Sequence, residues 1–106
     1  MNARFKHDGK AIDFFPLENV PAGSVIVQGS LVGITKLDIP AGRLGALHVV
    51  GVFEVVKANI AMPLGSRVYW NDTTKQAVLD ATGNAQLGIA VLDAAVDDEI
   101  VLVRIG

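Results

Sequence analysis

The side chains of this chain that could do chemistry are few and are spread along its 106 residues. It has two histidines, His7 and His48, and no cysteine. His48 stands in an apolar run that predicts a strand, where a lone histidine more often packs or faces solvent than acts as a general base. His7 lies in a charged segment near the start of the chain, which we expect to be too flexible to preorganise a reaction. Neither imidazole therefore predicts catalysis.

The acids and hydroxyls give no stronger signal. Asp97-Asp98-Glu99 places its carboxylates side by side, whereas a calcium loop spaces its ligands at alternate positions around a glycine. We therefore interpret it as a solvated turn. Ser24, Ser30 and Ser66 lie in turns, and none occupies the Gly-x-Ser-x-Gly elbow of a hydrolase. The sequence predicts no catalytic residue, no metal site, no cofactor and no enzyme activity.

Two motifs suggest nucleotide or nucleic-acid binding at first sight. Gly9-Lys10 is followed by Ala11, whereas a phosphate-binding loop requires Ser or Thr after Gly-Lys. Tyr69-Trp70 offers aromatic surface on which single-stranded bases could stack. Because adjacent strand residues point to opposite faces, we expect one of these rings in the core and the other at an interface.

The composition restricts the class of protein further. Hydrophobic residues make up 51% of the chain and charged residues 19%, which is apolar for so small a domain and indicates a second buried surface. The formal charge is −2 and no basic run is present, so we predict no nucleic-acid partner. No apolar stretch is long enough for a membrane span or follows the charged start as a signal peptide requires. We expect a protein made and kept in a cytoplasm, or in an assembly formed there.

Short apolar runs between Gly, Pro, Asn and Asp predict an all-β fold, a small β-barrel or sandwich of about nine short strands. The predicted strands are 12–15, 25–28, 31–35, 47–51, 53–56, 67–70, 77–79, 87–92 and 99–105. A flexible N-terminal arm, residues 1–10, is expected to precede a single β domain, residues 11–106.

Turn chemistry fixes the connections between these strands. Pro-x-Gly recurs at 21–23, 40–42 and 63–65, with proline expected at the second turn position and glycine at the fourth. Hairpin loops are predicted at 28–30 and 71–75. One helical turn is predicted at 57–62, where Pro63 would end it.

Several predicted strands carry apolar residues on both faces, namely in the segments 25–27, 49–50, 89–92 and 100–103. Only one face of a strand can point into so small a core, so we expect the other to meet a second subunit or a partner. This favours a homo-oligomer, a trimer more than a dimer. The alternative is that the protein's own loops and arm cover that face.

The chain resembles the tailed-phage capsid cement, or decoration, proteins over nearly its whole length. The matching segments run from Gly23-Ser-Val-Ile-Val27, through Gly51-Val-Phe-Glu-Val-Val-Lys57, to Val101-Leu-Val-Arg-Ile105. The most specific are Val68-Tyr-Trp-Asn71 and Thr82-Gly-Asn84. Some relatives carry a recombinase label, but this chain lacks the phosphate-binding loop that such an ATPase needs.

The resemblance implies a β-barrel-like subunit that binds the outer surface of the assembled phage head and stabilises the capsid lattice, often as a trimer. The implied partner is the phage major capsid protein, and the implied location is the virion, assembled in the bacterial host cytoplasm. The alternative from the residues themselves is a small β-barrel that binds single-stranded nucleic acid or a saccharide, with the 71–75 turn along its groove.

The arm is the predicted capsid-binding segment. Residues 2–10 contain four basic residues, Arg4, Lys6, His7 and Lys10, and a single acid, Asp8. Phe5 is their only large apolar side chain, so the arm cannot order itself by burial. We expect it to order across a capsid-subunit boundary, with Phe5 buried and Arg4 or Lys6 paired to capsid carboxylates. The alternative is a frayed terminus without a role.

Overall fold

The fold is all-β, as predicted. The computed structural model describes residues 2–106, and Met1, the first residue of the predicted arm, lies outside them. The nine strands are β1 (Ala11–Phe14), β2 (Val25–Gln28), β3 (Leu31–Ile34), β4 (Gly45–His48), β5 (Gly51–Val56), β6 (Arg67–Asn71), β7 (Gln76–Val78), β8 (Ala85–Ala90) and β9 (Ile100–Ile105). No helix that could cross a membrane is present in the part of the chain that the structure describes.

The strands form two antiparallel sheets that pack as a sandwich. One has four strands in the order β1-β4-β3-β2, and the other has five in the order β5-β9-β8-β6-β7. The five-stranded sheet curls until its edge strands meet at a single parallel bridge between Lys57 and Ala77. It does not close into a barrel, so the sandwich is the correct one of the two predicted architectures.

The main core lies between the sheets. Val32 and Ile34 of β3 belong to one buried cluster with side chains of the five-stranded sheet, including Val68 and Val103, which are fully buried. Alternate residues of these strands point inward, because successive side chains of a strand lie on opposite faces. Burial of each such side chain stabilises the fold by about 1.5–3 kcal/mol.

A second cluster covers the opposite face of the four-stranded sheet. Phe14, Ile39 and Leu47 are its buried members, and Ile26 packs against them. Gly33 lies beside Leu47, and a Cβ there would collide with the Leu47 Cγ atom, so only glycine leaves room for this packing. Because the protein's own loops cover this face, the apolar side chain that β2 directs toward it, Ile26, needs no partner chain.

Two sequence predictions of local structure are wrong. The fourth strand is Gly45–His48 rather than 47–51, because Gly51 has a φ of 144° and begins β5 in the other sheet. The segment 57–62 has no helical turn, since Lys57 and Met62 form bridges with Ala77 and Ala94. Both ends of the segment are therefore held extended.

The Pro-x-Gly segments lie in connections between strands as predicted, but in two of the three proline is the first turn residue and not the second. The carbonyl oxygen of Pro40 accepts a hydrogen bond from the Arg43 amide at 3.1 Å, which makes proline the first turn residue and Gly42 the third. The φ of Gly42 is 72°, a conformation that the third position of a type II turn requires. Ser66 and Pro63 make the same contact at 3.0 Å.

Candidate interaction surfaces

The side chains considered for catalysis are not brought together. Within residues 2–106 no three His, Asp or Glu side chains lie close enough to hold a metal ion. Asp98 accepts a hydrogen bond from the Ala95 amide at 2.8 Å and so closes its own turn. His48 lies half-buried on β4, where burial and the nearby Lys36 cation lower its pKa.

The two adjacent aromatic residues separate as predicted. Trp70 is buried in the main core, and its Nε1 donates to the Asp72 carboxylate at 3.1 Å. Tyr69 points to the opposite face, where it pairs with Val78 of β7. Lys75 and Trp70 both donate hydrogen bonds to Asp72, which lowers the pKa of that carboxyl. With Trp70 inside, the pair forms no stacking platform for bases.

The outer side of β5 and β9 carries an exposed apolar surface, called the β9 face. It consists of Val52, Val56, Ile100 and Leu102, of which Val56 and Ile100 form a cross-strand pair at the end of the ladder. The exposed charged residues Glu54 and Arg104 lie on the same side, opposite Leu102 and Val52. Val56 is 55% exposed and Ile100 is 43% exposed. Strand 100–103 is thus apolar on both faces, as the sequence indicates, and here no loop of the protein covers the second one.

The predicted capsid-binding residues lie together in a segment that belongs to no strand. Arg4, Phe5 and Lys6 are exposed, and the Phe5 ring is 78% exposed. The segment is anchored at its end, where the Lys10 carbonyl oxygen accepts a hydrogen bond from the Val49 amide at 2.9 Å. The structure therefore presents a basic segment with one aromatic side chain at the edge of the four-stranded sheet.

A cluster of exposed leucines is a surface that the sequence reasoning missed. Leu37 and Leu44 are 76% and 58% exposed, and they line a depression of about 140 Å³ together with Ala46 and His48. Both leucines lie in connections, where apolar residues follow no strand or helix period. Only the fold brings them to one depression.

A larger cleft, called the β2–β5 cleft, also escaped the sequence reasoning. It has a volume of about 660 Å³ and lies between the edge strands of the two sheets. Its lining includes Val25 from β2 and the run 53–56 from β5, with Trp70 and Ile34 from the core. The sandwich is open along this side, since β2 pairs only with β3.

Comparison with known proteins identifies the family. Neither the curated proteins nor the solved structures contain a match to this chain. A family model described as phage cement protein matches residues 6–105, nearly the whole chain. The family is structural rather than enzymatic and its members are capsid components. The chain therefore belongs to the phage cement protein family.

Proposed function

We propose that this protein binds the outer surface of the assembled phage head and stabilises the capsid lattice. The observation that carries the proposal is the exposed segment Arg4, Phe5 and Lys6 on a chain of the phage cement protein family. An exposed aromatic side chain between two cations is a suitable anchor for a partner surface that carries carboxylates. The major capsid protein is the proposed partner, and the head assembled in the host cytoplasm is the proposed place of binding.

The mechanism is mass action. A protein that binds only the assembled shell stabilises it by RT ln(1 + [L]/Kd), about 2.7 kcal/mol per site at a hundredfold excess over Kd. Each bound copy adds interface area across neighbouring capsid subunits. No step of this mechanism requires a cofactor or a chemical reaction, so we propose that the protein is not an enzyme.

The protein has two kinds of surface for this task. We assign the β9 face, which includes the cross-strand pair Val56 and Ile100, to contact between copies, with a trimer favoured over a dimer. We assign Arg4, Phe5 and Lys6 to the capsid, where Phe5 is buried and the cations pair with carboxylates. The exposure of all three side chains leaves them free for such contacts.

The test uses heads that lack the protein. Purified protein is titrated onto undecorated heads, bound protein is measured by cosedimentation, and the temperature of head rupture is recorded. We expect saturable binding and a rupture temperature that rises with occupancy. Saturable binding with no change in rupture temperature would contradict lattice stabilisation, and an absence of binding would overturn the function.

A further inference from the structure

We propose that the β2–β5 cleft binds an extended, acidic segment of the capsid protein, which adds to β5 as one more strand. This inference rests on the proposed function, because the partner that it names is the capsid. It concerns a different surface from the arm, and it shares only Val56 with the β9 face. Four observations on the cleft support it.

The first observation is the unpaired backbone of β5. The Lys57 amide donates to the Glu99 carbonyl oxygen at 3.0 Å, and hydrogen bonds of an antiparallel pair involve alternate residues. The backbone groups of Val52, Glu54 and Val56 therefore point away from β9. β7 meets this side of β5 only at the bridge between Lys57 and Ala77, next to Val56, and no described strand pairs with Val52 or Glu54 there. Extended backbone is the ligand that such an edge accepts.

The second observation is the lack of protection on the opposite wall. Natural edge strands are usually blunted by charged side chains, proline or a covering loop. The β1 edge carries Asp13, whereas β2 reads Val25-Ile-Val-Gln28 and has neither charge nor proline. An unprotected apolar edge beside a cleft is typical of a site that a strand fills.

The third observation is the apolar floor. Val25, Phe53 and Trp70 line the cleft, and Phe53 is only half-buried although it packs against the main core. A volume of about 660 Å³ lies within the roughly 300–1,000 Å³ of ordinary binding sites. The incoming strand therefore carries at least one large apolar side chain that faces inward.

The fourth observation is charge. Lys36 and Lys75 line the cleft with one acid, Glu54, and the only ion pair among residues 2–106 joins Lys75 to Asp72. Lys36 is therefore a cation without a carboxylate partner in the described chain. The basic arm of a second copy would bring further cations to this place, whereas an acidic segment supplies the missing carboxylate. The charge of the cleft therefore favours an acidic capsid segment over the basic arm of a second copy as its occupant.

A pair of charge reversals tests the inference. Lys36 and Arg43 are both exposed, but only Lys36 lines the cleft. We expect Lys36→Glu to weaken binding to undecorated heads by about tenfold, because the new carboxylate repels an acidic segment, and Arg43→Glu to leave binding within about twofold of the wild type.

Amide hydrogen exchange of the unmodified protein gives an independent readout. On heads, exchange of the Glu54 and Val56 amides is expected to slow by about tenfold or more relative to the free protein, with the Val52 amide much less affected. Normal head binding by Lys36→Glu together with unchanged exchange overturns the inference but leaves the proposed function intact. Failure of the wild type to bind heads overturns the function itself. Protection that rises with protein concentration in the absence of heads assigns the cleft to a second copy and contradicts the capsid segment.

Discussion

The ammonium group of Lys57 donates a hydrogen bond to the carbonyl oxygen of Val96 at 3.3 Å, across 39 residues of sequence. The same nitrogen donates to the carbonyl oxygens of Ala58 and Ile60, at 3.0 and 2.8 Å. Lys57 is only 3% exposed, and these three acceptors use all three of its protons. The side chain thereby fastens two connections at one end of the sandwich.

Replacing Lys57 by alanine should lower the free energy of unfolding by about 2–4 kcal/mol, because three carbonyl oxygens lose a charged donor in a place that water reaches poorly. Urea denaturation measures the difference. Lys36→Ala is the control, since Lys36 is exposed and its loss should change stability by no more than about 0.5 kcal/mol. Equal stability of the two variants would show that the carbonyl oxygens are satisfied by other donors.

A second prediction concerns the β9 face and the oligomer. Ile100→Lys should dissociate the oligomer at micromolar concentration, because the charge would be buried in an apolar contact between copies. Ile60→Lys is the matched control, since Ile60 is 38% exposed compared with 43% for Ile100 and lies outside this face. Sedimentation velocity should give a wild-type mass well above 11.2 kDa. A wild type that sediments as a monomer would instead assign the β9 face to the capsid.

Histidine 48 predicts a dependence of stability on pH. Burial, with a smaller effect from Lys36, lowers the pKa of His48 below its usual 6.5 in the folded protein. The unfolded state therefore binds a proton first as the pH falls, and folding stability is lost between pH 6.5 and the lower folded pKa. His48→Gln should lose less stability than the wild type over this window. Parallel unfolding curves for the two proteins from pH 7.5 to 5 would contradict the assignment.

The strands were predictable from local signals. Each of the nine predicted strands overlaps an observed one, because Gly and Pro at the turns and β-branched runs between them act over a few residues. The helical turn at 57–62 failed because long-range bridges to Ala77 and Ala94 hold that segment extended. Tertiary pairing overrode a weak local preference.

The surfaces were only partly predictable. Residues 100–103 are apolar on both sides of the strand, and one of these sides is indeed exposed. Residues 25–27 have the same pattern, but there the side chain of Ile26 packs against a second internal cluster. A single strand does not show which loop will cover it. The β2–β5 cleft lies between two edge strands that belong to different sheets. The periodicity of apolar residues in the sequence does not show where two sheets lie apart.

The absence of nucleotide chemistry is testable directly. The chain has no Gly-Lys followed by Ser or Thr, so no loop is available to hold phosphates with a lysine and backbone amides. We expect no saturable ATP binding by calorimetry at micromolar protein and no hydrolysis above background. A saturable isotherm that a single substitution abolishes would overturn this expectation and revive the recombinase label.

The last prediction concerns the arm. Deletion of residues 2–9 keeps the Lys10 carbonyl oxygen that bonds to the Val49 amide, so the sheet edge stays intact. Because the side chains of residues 2–8 are exposed, thermal unfolding of the free protein should be nearly unchanged. Binding to undecorated heads should weaken at least tenfold, about 1.4 kcal/mol.

Single substitutions separate the parts of that contact. Phe5→Ala should account for most of the loss if the ring is buried in the capsid, and the loss from Arg4→Ala should shrink as salt rises, because paired surface charges are screened. Leu17→Ala serves as the control, since Leu17 is 97% exposed and lies outside the arm. If the truncated protein binds heads as tightly as the full chain, the arm is dispensable and the attachment comes from the sandwich itself, through surfaces such as the β2–β5 cleft.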